Sequence, residues 1–339
     1  MRMNWLALDI GGANLKMADG KGQAHSTPFA LWQHPRQLTQ ELRTLIAQAP
    51  GTTHLAITMT GELCDCFESK AAGVKFILQS VIDAADGRHT RVYRTDGKMV
   101  TPQAGMSQPL LAAAANWHAL ARYCGRFAPE GAALLLDVGS TTCDIIPLLD
   151  GVPATQNLTD VQRLTVGELV YTGVVRSPVC AIVDSVPYRT QQVPVAQELF
   201  ATTGDVYIIL KELAEDPTLS NTADGRPVTK AAAKRRLSRM ICAEEEAFNH
   251  RDAVVLAQAV REEQHRAIVA AARRVSEAMP TPPETYIISG QGEFLARQVV
   301  EALSDNASTV HLSKEFGFLV SRCAAAHALA ILAREATEG

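Results

Sequence analysis

Apolar positions along the chain keep two different rhythms. In the first third they form short runs stopped by glycine or polar turns: WLALDI, LKMADG, HLAITMT (His54 to Thr60) and TRVYRTDG, each of strand length. QPLLAAAANWHALARYCG, from Gln108 to Gly125, is alanine-rich and predicts a helix. AALLLDVGSTTCDIIPLLDG (Ala132 to Gly151) returns to strand–turn–strand and closes on an Asp-Gly turn. Residues 161–210 mix short strands with turns, while strong helix formers with few breakers predict helices from about 228 to 279. After PTPPE (280–284) come a buried strand TYIISG, a helix EFLARQVVEAL and a closing helix from Leu319 to Ala336. The alternation predicts an α/β protein with a helical insertion in its second half.

One design is used twice. Asp9-Ile-Gly-Gly12 follows a buried strand, and 128 residues later Asp137-Val-Gly-Ser140 does the same. That offset suits two related lobes better than a solenoid repeat. A glycine hairpin after a buried strand exposes backbone N–H groups to an incoming anion. An acid beside that cradle repels phosphate unless a cation lies between them, so Asp9 and Asp137 read as Mg²⁺ ligands, acting through water. Gly11, Gly12 and Asn14 in one hairpin, and Gly139, Ser140 and Thr141 in the other, form the cradle, with Lys16 adding positive charge. A single such hairpin is also an ordinary Asp-Gly turn. Two copies, with a third glycine turn in ISGQGEFLAR (Gly290 and Gly292), favour a phosphate site.

Composition narrows the partners. At 339 residues and 47% hydrophobic content the chain can fill two cores, and a net charge of −4 gives no footprint for nucleic acid. The basic run KAAAKRRLSR (Lys230 to Arg239) reads as the solvated face of a helix. No apolar run reaches the roughly eighteen residues of a membrane span, and the first strand follows no signal-peptide pattern, so a soluble cytoplasmic protein is expected. Seven scattered cysteines, most among apolar neighbours, predict reduced, buried thiols. Cys64 and Cys66 lack zinc spacing.

The two Asp-Gly hairpins and the C-terminal SGQGE turn resemble the two phosphate segments and the adenosine segment of the actin/hexokinase/Hsp70 superfamily. LALDIGGANLK resembles the N-terminal segment of its hydantoinase/5-oxoprolinase group, although Ala13–Asn14 stand where that group usually has threonine. ITMTGELCDCFESKAAGV, AAANWHALA, LLLDVGSTTCDIIP, GELVYTGVVRSPVCAI, ELFATTGDVYIIL and TADGRP extend the likeness to the tetrahydromethanopterin-linked C1-transfer pathway proteins. The resemblance runs from Asp9 almost to the last helix.

It implies two ribonuclease H-like lobes, 1–125 and 126–339, with a helical insertion at about 212–282 and a last helix packing back between them. It also implies an alkyl transfer in methanofuran-type cofactor biosynthesis. The phenol oxygen of γ-glutamyltyramine attacks the methylene carbon of an aminomethylfuran methyl diphosphate, and pyrophosphate leaves. Mg²⁺ is then the cofactor, ATP is not required, and a homodimer stays open.

The phenol needs a base. Asp65 or Glu62 could serve and Lys70 could hold diphosphate, yet TGELCDCFESK reads equally as a polar loop before a helix N-cap. Arg226 in TADGRP would suit a phosphate or carboxylate by resemblance, within a segment whose composition is that of a turn. Tyr171 and Arg176 have the same two readings. His118 and His327 read as packing or surface residues, and Asn116 and Trp117 could line the cleft but read first as helix packing. The competing functions are an ATP-dependent small-molecule kinase or ATPase, and a non-enzymatic nucleotide-binding regulator or complex subunit.

Overall fold

The computed structural model describes residues 3–306 and 308–338. The first half is built on β1 (Trp5–Ile10), whose six residues are all buried. Such a run with no polar alternation belongs to a strand covered on both faces. Around it stand β2 (Asn14–Ala18), β3 (Ala24–Pro28), α1 (Leu38–Ala47), β4 (His54–Met59), α2 (Lys70–Ala85), β5 (His89–Tyr93) and β6 (Met99–Val100). The strand order is β3-β2-β1-β4-β5-β6. β1, β4 and β5 are parallel and joined by helical crossovers, while β2 and β3 return antiparallel. One face packs on α1 and α2, where Leu38, Leu42, Leu45 and Ile46 recur at helical spacing.

Three short helices lead out: α3 (Pro102–Ser107), α4 (Pro109–Ala112) and α5 (Asn116–Cys124). The single helix expected over Gln108–Gly125 is therefore broken. Ala113 is extended and Ala114 takes a positive φ of 46°. Thr95 donates its N–H to the Leu111 carbonyl at 2.8 Å, so a long-range backbone bond outweighs alanine's helix propensity.

The second half repeats the plan. β7 (Ala132–Val138), β8 (Cys143–Leu149), β9 (Val152–Pro153), α6 (Asp160–Val166) and β10 (Leu169–Val170) come first. The hairpin β11 (Ser185–Tyr188) and β12 (Gln191–Pro194) follows, then α7 (Thr203–Ile209), α8 (Lys230–Arg239) and α9 (His250–Glu277). The chain closes with β13 (Thr285–Ser289), α10 (Glu293–Leu303), β14 (Ser308–His311), α11 (Leu312–Phe316), α12 (Phe318–Arg322) and α13 (Ala324–Glu338). The sheet order is β10-β8-β7-β13-β14, with β9 on β8. β7 is antiparallel to β8 and parallel to β13, as β1 is to β2 and β4.

α9 serves two cores. Its C-terminal half buries Ile268, Ala272 and Val275 against the second sheet, and its N-terminal half buries Ala253, Leu256 and Val260 against α7, α8 and the β11–β12 hairpin. α6 was not anticipated. A capping box of Thr159 and Gln162 starts it. The closing helix divides at Cys323, and α13 lays Ala326, Leu329, Ala330 and Ala333 on the free face of the first sheet. α13 also packs on α5, so these two helices clasp the sheets at one end and leave a cleft between β1–β2 and β7–β8.

Candidate active site

The cleft is a cavity of about 450 Å³ with the ends of β1 and β7 at its base. Parallel strands release their C-terminal ends at such crevices, so both hairpins turn toward the same space. Asp9 is the penultimate residue of β1 and lies opposite Lys16 of β2 in register, while Asp137 is the penultimate residue of β7 and lies opposite Asp144 of β8. Asp9 is 5% exposed and its Oδ1 makes no hydrogen bond. Burial pushes its carboxyl above the usual range and Lys16 pulls it back. Asp137 accepts a 2.5 Å hydrogen bond from Ser289 Oγ. Its pKa stands at about 6, raised first by burial and then by the Asp144 charge.

Asp144 has a partner. The buried Arg163 guanidinium donates to Asp144 at 2.8 Å and to the Glu168 carbonyl at 2.9 Å, and stacks 4.1 Å over the Trp117 ring. Asp9 and Asp137 are left as the two carboxylates with unused oxygen lone pairs at the base. Among the described residues no group of three or more His, Cys, Asp or Glu side chains is placed to cage a metal. A hard cation here would take two carboxylates and complete its shell with water or substrate oxygens, which is how Mg²⁺ is usually held. The unpartnered Asp9 oxygen fits that demand. Above the acids, the N–H groups of Gly12, Ala13, Ser140 and Thr141 donate to no backbone carbonyl among the described residues, and Asn14 Nδ2 reaches Ser140 Oγ across the cleft at 3.5 Å.

The walls are tied across the cleft as well. Lys70, at the start of α2, forms an ion pair with Asp160 at the start of α6. Arg176 lies 4.3 Å over the Trp32 ring. Glu62 sits in the turn after β4, 1% exposed, with Oε2 unpartnered. Burial raises it to about 7. Cys64 lines the same wall with its thiol pushed up to about 11 by burial, so it is not a thiolate at neutral pH.

Most of the expected residues meet in this cavity: Asp9, Lys16, Asp137, Gly11, Gly12, Asn14, Gly139, Ser140 and Thr141 all line it. Asp65 does too, but at the exposed rim. Lys70 is committed to Asp160 and is not a free diphosphate ligand. Arg226 lies outside the cleft, on the surface of the helical insertion near Asp224. Its neighbour Asp224 is held by Arg236 of α8, so the turn composition of TADGRP explains this segment.

Gly292 also lies outside. A Cβ there would meet Val138 and Val174 within 2.6 Å, which makes it a packing glycine. Gly290 lines only a small pocket behind the acids, at φ 94°, where a Cβ would come within 2.3 Å of the Val138 carbonyl and 2.7 Å of Asp137 Oδ1. Gly290→Ala is therefore expected to displace Asp137 and cost about 1–3 kcal/mol of stability from the backbone alone. Chemical denaturation reads this, and an unchanged midpoint would refute it.

Asp144, Arg163, Asp160 and Trp32 were not foreseen. The signal for Asp144 was present, since it follows Asp137 by the same seven residues that separate Lys16 from Asp9. Trp32, Asp160 and Arg163 belong to no repeated pattern.

Two lobes with the same strand order, closing on paired acids and glycine hairpins, define an actin/hexokinase/Hsp70-type fold. The hydantoinase/oxoprolinase family model matches residues 54–334, and the chain belongs to that family. A (4-{4-[2-(γ-L-glutamylamino)ethyl]phenoxymethyl}furan-2-yl)methanamine synthase of Methanocaldococcus jannaschii is 31% identical over 73% of this chain and 74% of its own length. A protein of the same name from Methanococcus vannielii is 28% identical over 59% of this chain and 89% of its own. Among solved structures, an archaeal actin homolog aligns over 99% of both chains at 14% identity and a TM-score of 0.43.

Proposed function

We propose that this protein is a transferase that joins the phenol oxygen of γ-glutamyltyramine to an aminomethylfuran methyl diphosphate and releases pyrophosphate, in methanofuran-type cofactor biosynthesis. The printed name of the two relatives describes an aryl ether between a phenol and a furan methylene. Forming that bond requires a leaving group on the methylene carbon. The observation that carries the reading is the base of the cleft, where Asp9 and Asp137 face glycine hairpins and Lys16, a setting made for a diphosphate and its counter-cation.

The furan ring stabilises positive charge on its methylene, so C–O cleavage runs ahead of attack and the demand falls on the departing diphosphate. Lys16 and the free hairpin N–H groups meet negative charge that grows as the bond breaks, and they are in place beforehand. Asp9 and Asp137 would hold Mg²⁺, which when bound neutralises the diphosphate oxygens. The electron pair of the C–O bond leaves with pyrophosphate and the phenol oxygen supplies the new pair to carbon. Asn14 and Ser140, one from each hairpin, close over the diphosphate position and limit water, which would otherwise compete with the phenol.

Purified protein given Mg²⁺, the furan diphosphate and γ-glutamyltyramine is expected to yield the ether and pyrophosphate in equal amounts, measured by mass spectrometry and a coupled phosphate assay. Ether formation that depends on ATP hydrolysis, or ATP turnover on some other acceptor with no ether, would establish the kinase reading instead.

A further inference from the structure

The transfer leaves one proton unassigned, and the cavity wall holds one group placed to take it. We propose that Glu62 is the general base that removes the phenolic proton of the acceptor. This rests on the transferase reading and adds a named residue to it.

The position is over-determined by packing. Glu62 lies in the short turn Gly61–Leu63 directly after β4, between the first glycine hairpin and α2. At Gly61 an added Cβ would stand 2.7 Å from Leu31 Cδ2 and 3.2 Å from the Gly11 backbone. At Gly73 of α2 it would stand 2.5 Å from the Glu62 carbonyl oxygen. Two glycines thus let the hairpin and the helix close on the Glu62 turn from both sides. The carboxylate is held beside the diphosphate cradle instead of swinging on an open loop. A base in that place shares one cavity with the cradle that would hold the leaving group.

The backbone N–H groups of Glu62 and Ala114 face this carboxylate, but one of its oxygens is left unused by the protein. Glu62 is 1% exposed, lines the cavity, and keeps Oε2 without a hydrogen-bond partner. A buried carboxylate with an idle oxygen costs stability, and function is the ordinary return for such a cost. Asp65, three residues on, is exposed at the rim, where water competes for it. The ionisable groups around Glu62 are Lys70 of α2, Asp160 of α6, Cys64 in its own loop and Tyr171 after β10. Lys70 and Asp160 pair with each other, so Glu62 has no dedicated cation and burial dominates, raising it to about 7. It is therefore about half ionised near neutrality and a stronger base than an exposed carboxylate. In the step, the phenol O–H bond breaks toward Glu62, the oxygen bonds to the methylene carbon, and the carbon–diphosphate bond breaks with its electron pair on pyrophosphate.

The test is the pH profile of ether formation. With wild-type protein kcat/KM is expected to rise tenfold per pH unit below about pH 7 and then level. Glu62→Gln is expected to lower kcat by about 10²–10⁴-fold and to abolish the limb assigned to Glu62, with KM for the furan diphosphate unchanged. An acceptor fluorinated on the phenol ring, which ionises more easily, should recover at least tenfold on Glu62→Gln and change little on wild type. Asp160→Asn tests the assignment without touching Glu62: it removes a charge that raises Glu62 and frees Lys70, so the limb should move to lower pH. A Glu62→Gln profile with the limb retained, no recovery by the fluorinated acceptor, or a limb unmoved in Asp160→Asn would each overturn the proposal. If wild-type protein forms no ether at all, it is the transferase reading that falls.

Discussion

Replacing Asp9 or Asp137 by asparagine is expected to lower ether formation by about 10²–10³-fold and to remove most of its response to Mg²⁺, because each change deletes one of two charges available to a cation. The two variants should differ in stability. Asp137 titrates at about 6 against an ordinary value of 3.8, so the folded chain binds its proton more tightly than the unfolded chain. That contribution is fully present below the ordinary value and is lost as pH rises through about 6, leaving a penalty at neutrality. In metal-free protein Asp137→Asn is therefore expected to be more stable than wild type at pH 7.5, by on the order of 1–3 kcal/mol, and nearly equal to it at pH 3.5. Added Mg²⁺ should reverse the order by binding only the wild type. Mg²⁺ titrations followed by thermal denaturation read both effects. A variant with undiminished turnover and an unchanged Mg²⁺ response would remove these acids from the site.

The second large effect belongs to a buried residue in the wall of the cleft. Arg163 is 1% exposed and offsets Asp144, which lies across the strand pair from Asp137. Arg163→Leu leaves that carboxylate buried and unpaired, and is expected to cost about 3–5 kcal/mol. It should also weaken Mg²⁺ binding at neutral pH, since Asp144 then relaxes by taking up a proton and loses its hold on the surrounding geometry. Arg163→Leu combined with Asp144→Leu should recover most of the stability, because the pair as a whole contributes far less than breaking it costs. Urea midpoints of the single and double variants decide this. A single variant within 1 kcal/mol of wild type would show that Asp144 needs no counter-charge.

The strands that carry the site were legible because they are buried on both faces. WLALDI and AALLLDV are apolar runs broken only by an Asp one place before the end, and nothing else in the chain combines those features with glycine. β3 and β14 escaped notice because they are edge strands of mixed polarity, AHSTP and STVH, without strand periodicity. The break at Ala114 escaped for the opposite reason. AAAAN has every local reason to be helical, and only the distant Thr95 backbone bond decides otherwise. In the site, both hairpins were readable from their repetition, whereas Arg226 was attributed a role through likeness and lies elsewhere. Glu62 was one of two candidates until burial separated it from Asp65. The choice depended on how α2 and the first hairpin meet, which no local pattern encodes.

The same seven-residue spacing places Lys16 opposite Asp9 and Asp144 opposite Asp137. The two lobes share a backbone plan, yet the residue facing the acid is the cation Lys16 in one and, in the other, an acid paired with Arg163. An anionic group thus finds Lys16 on the first hairpin and no cation at the matching place on the second. A duplicated frame with matching residues would treat both orientations of an anionic ligand alike. One inverted sign removes that equivalence.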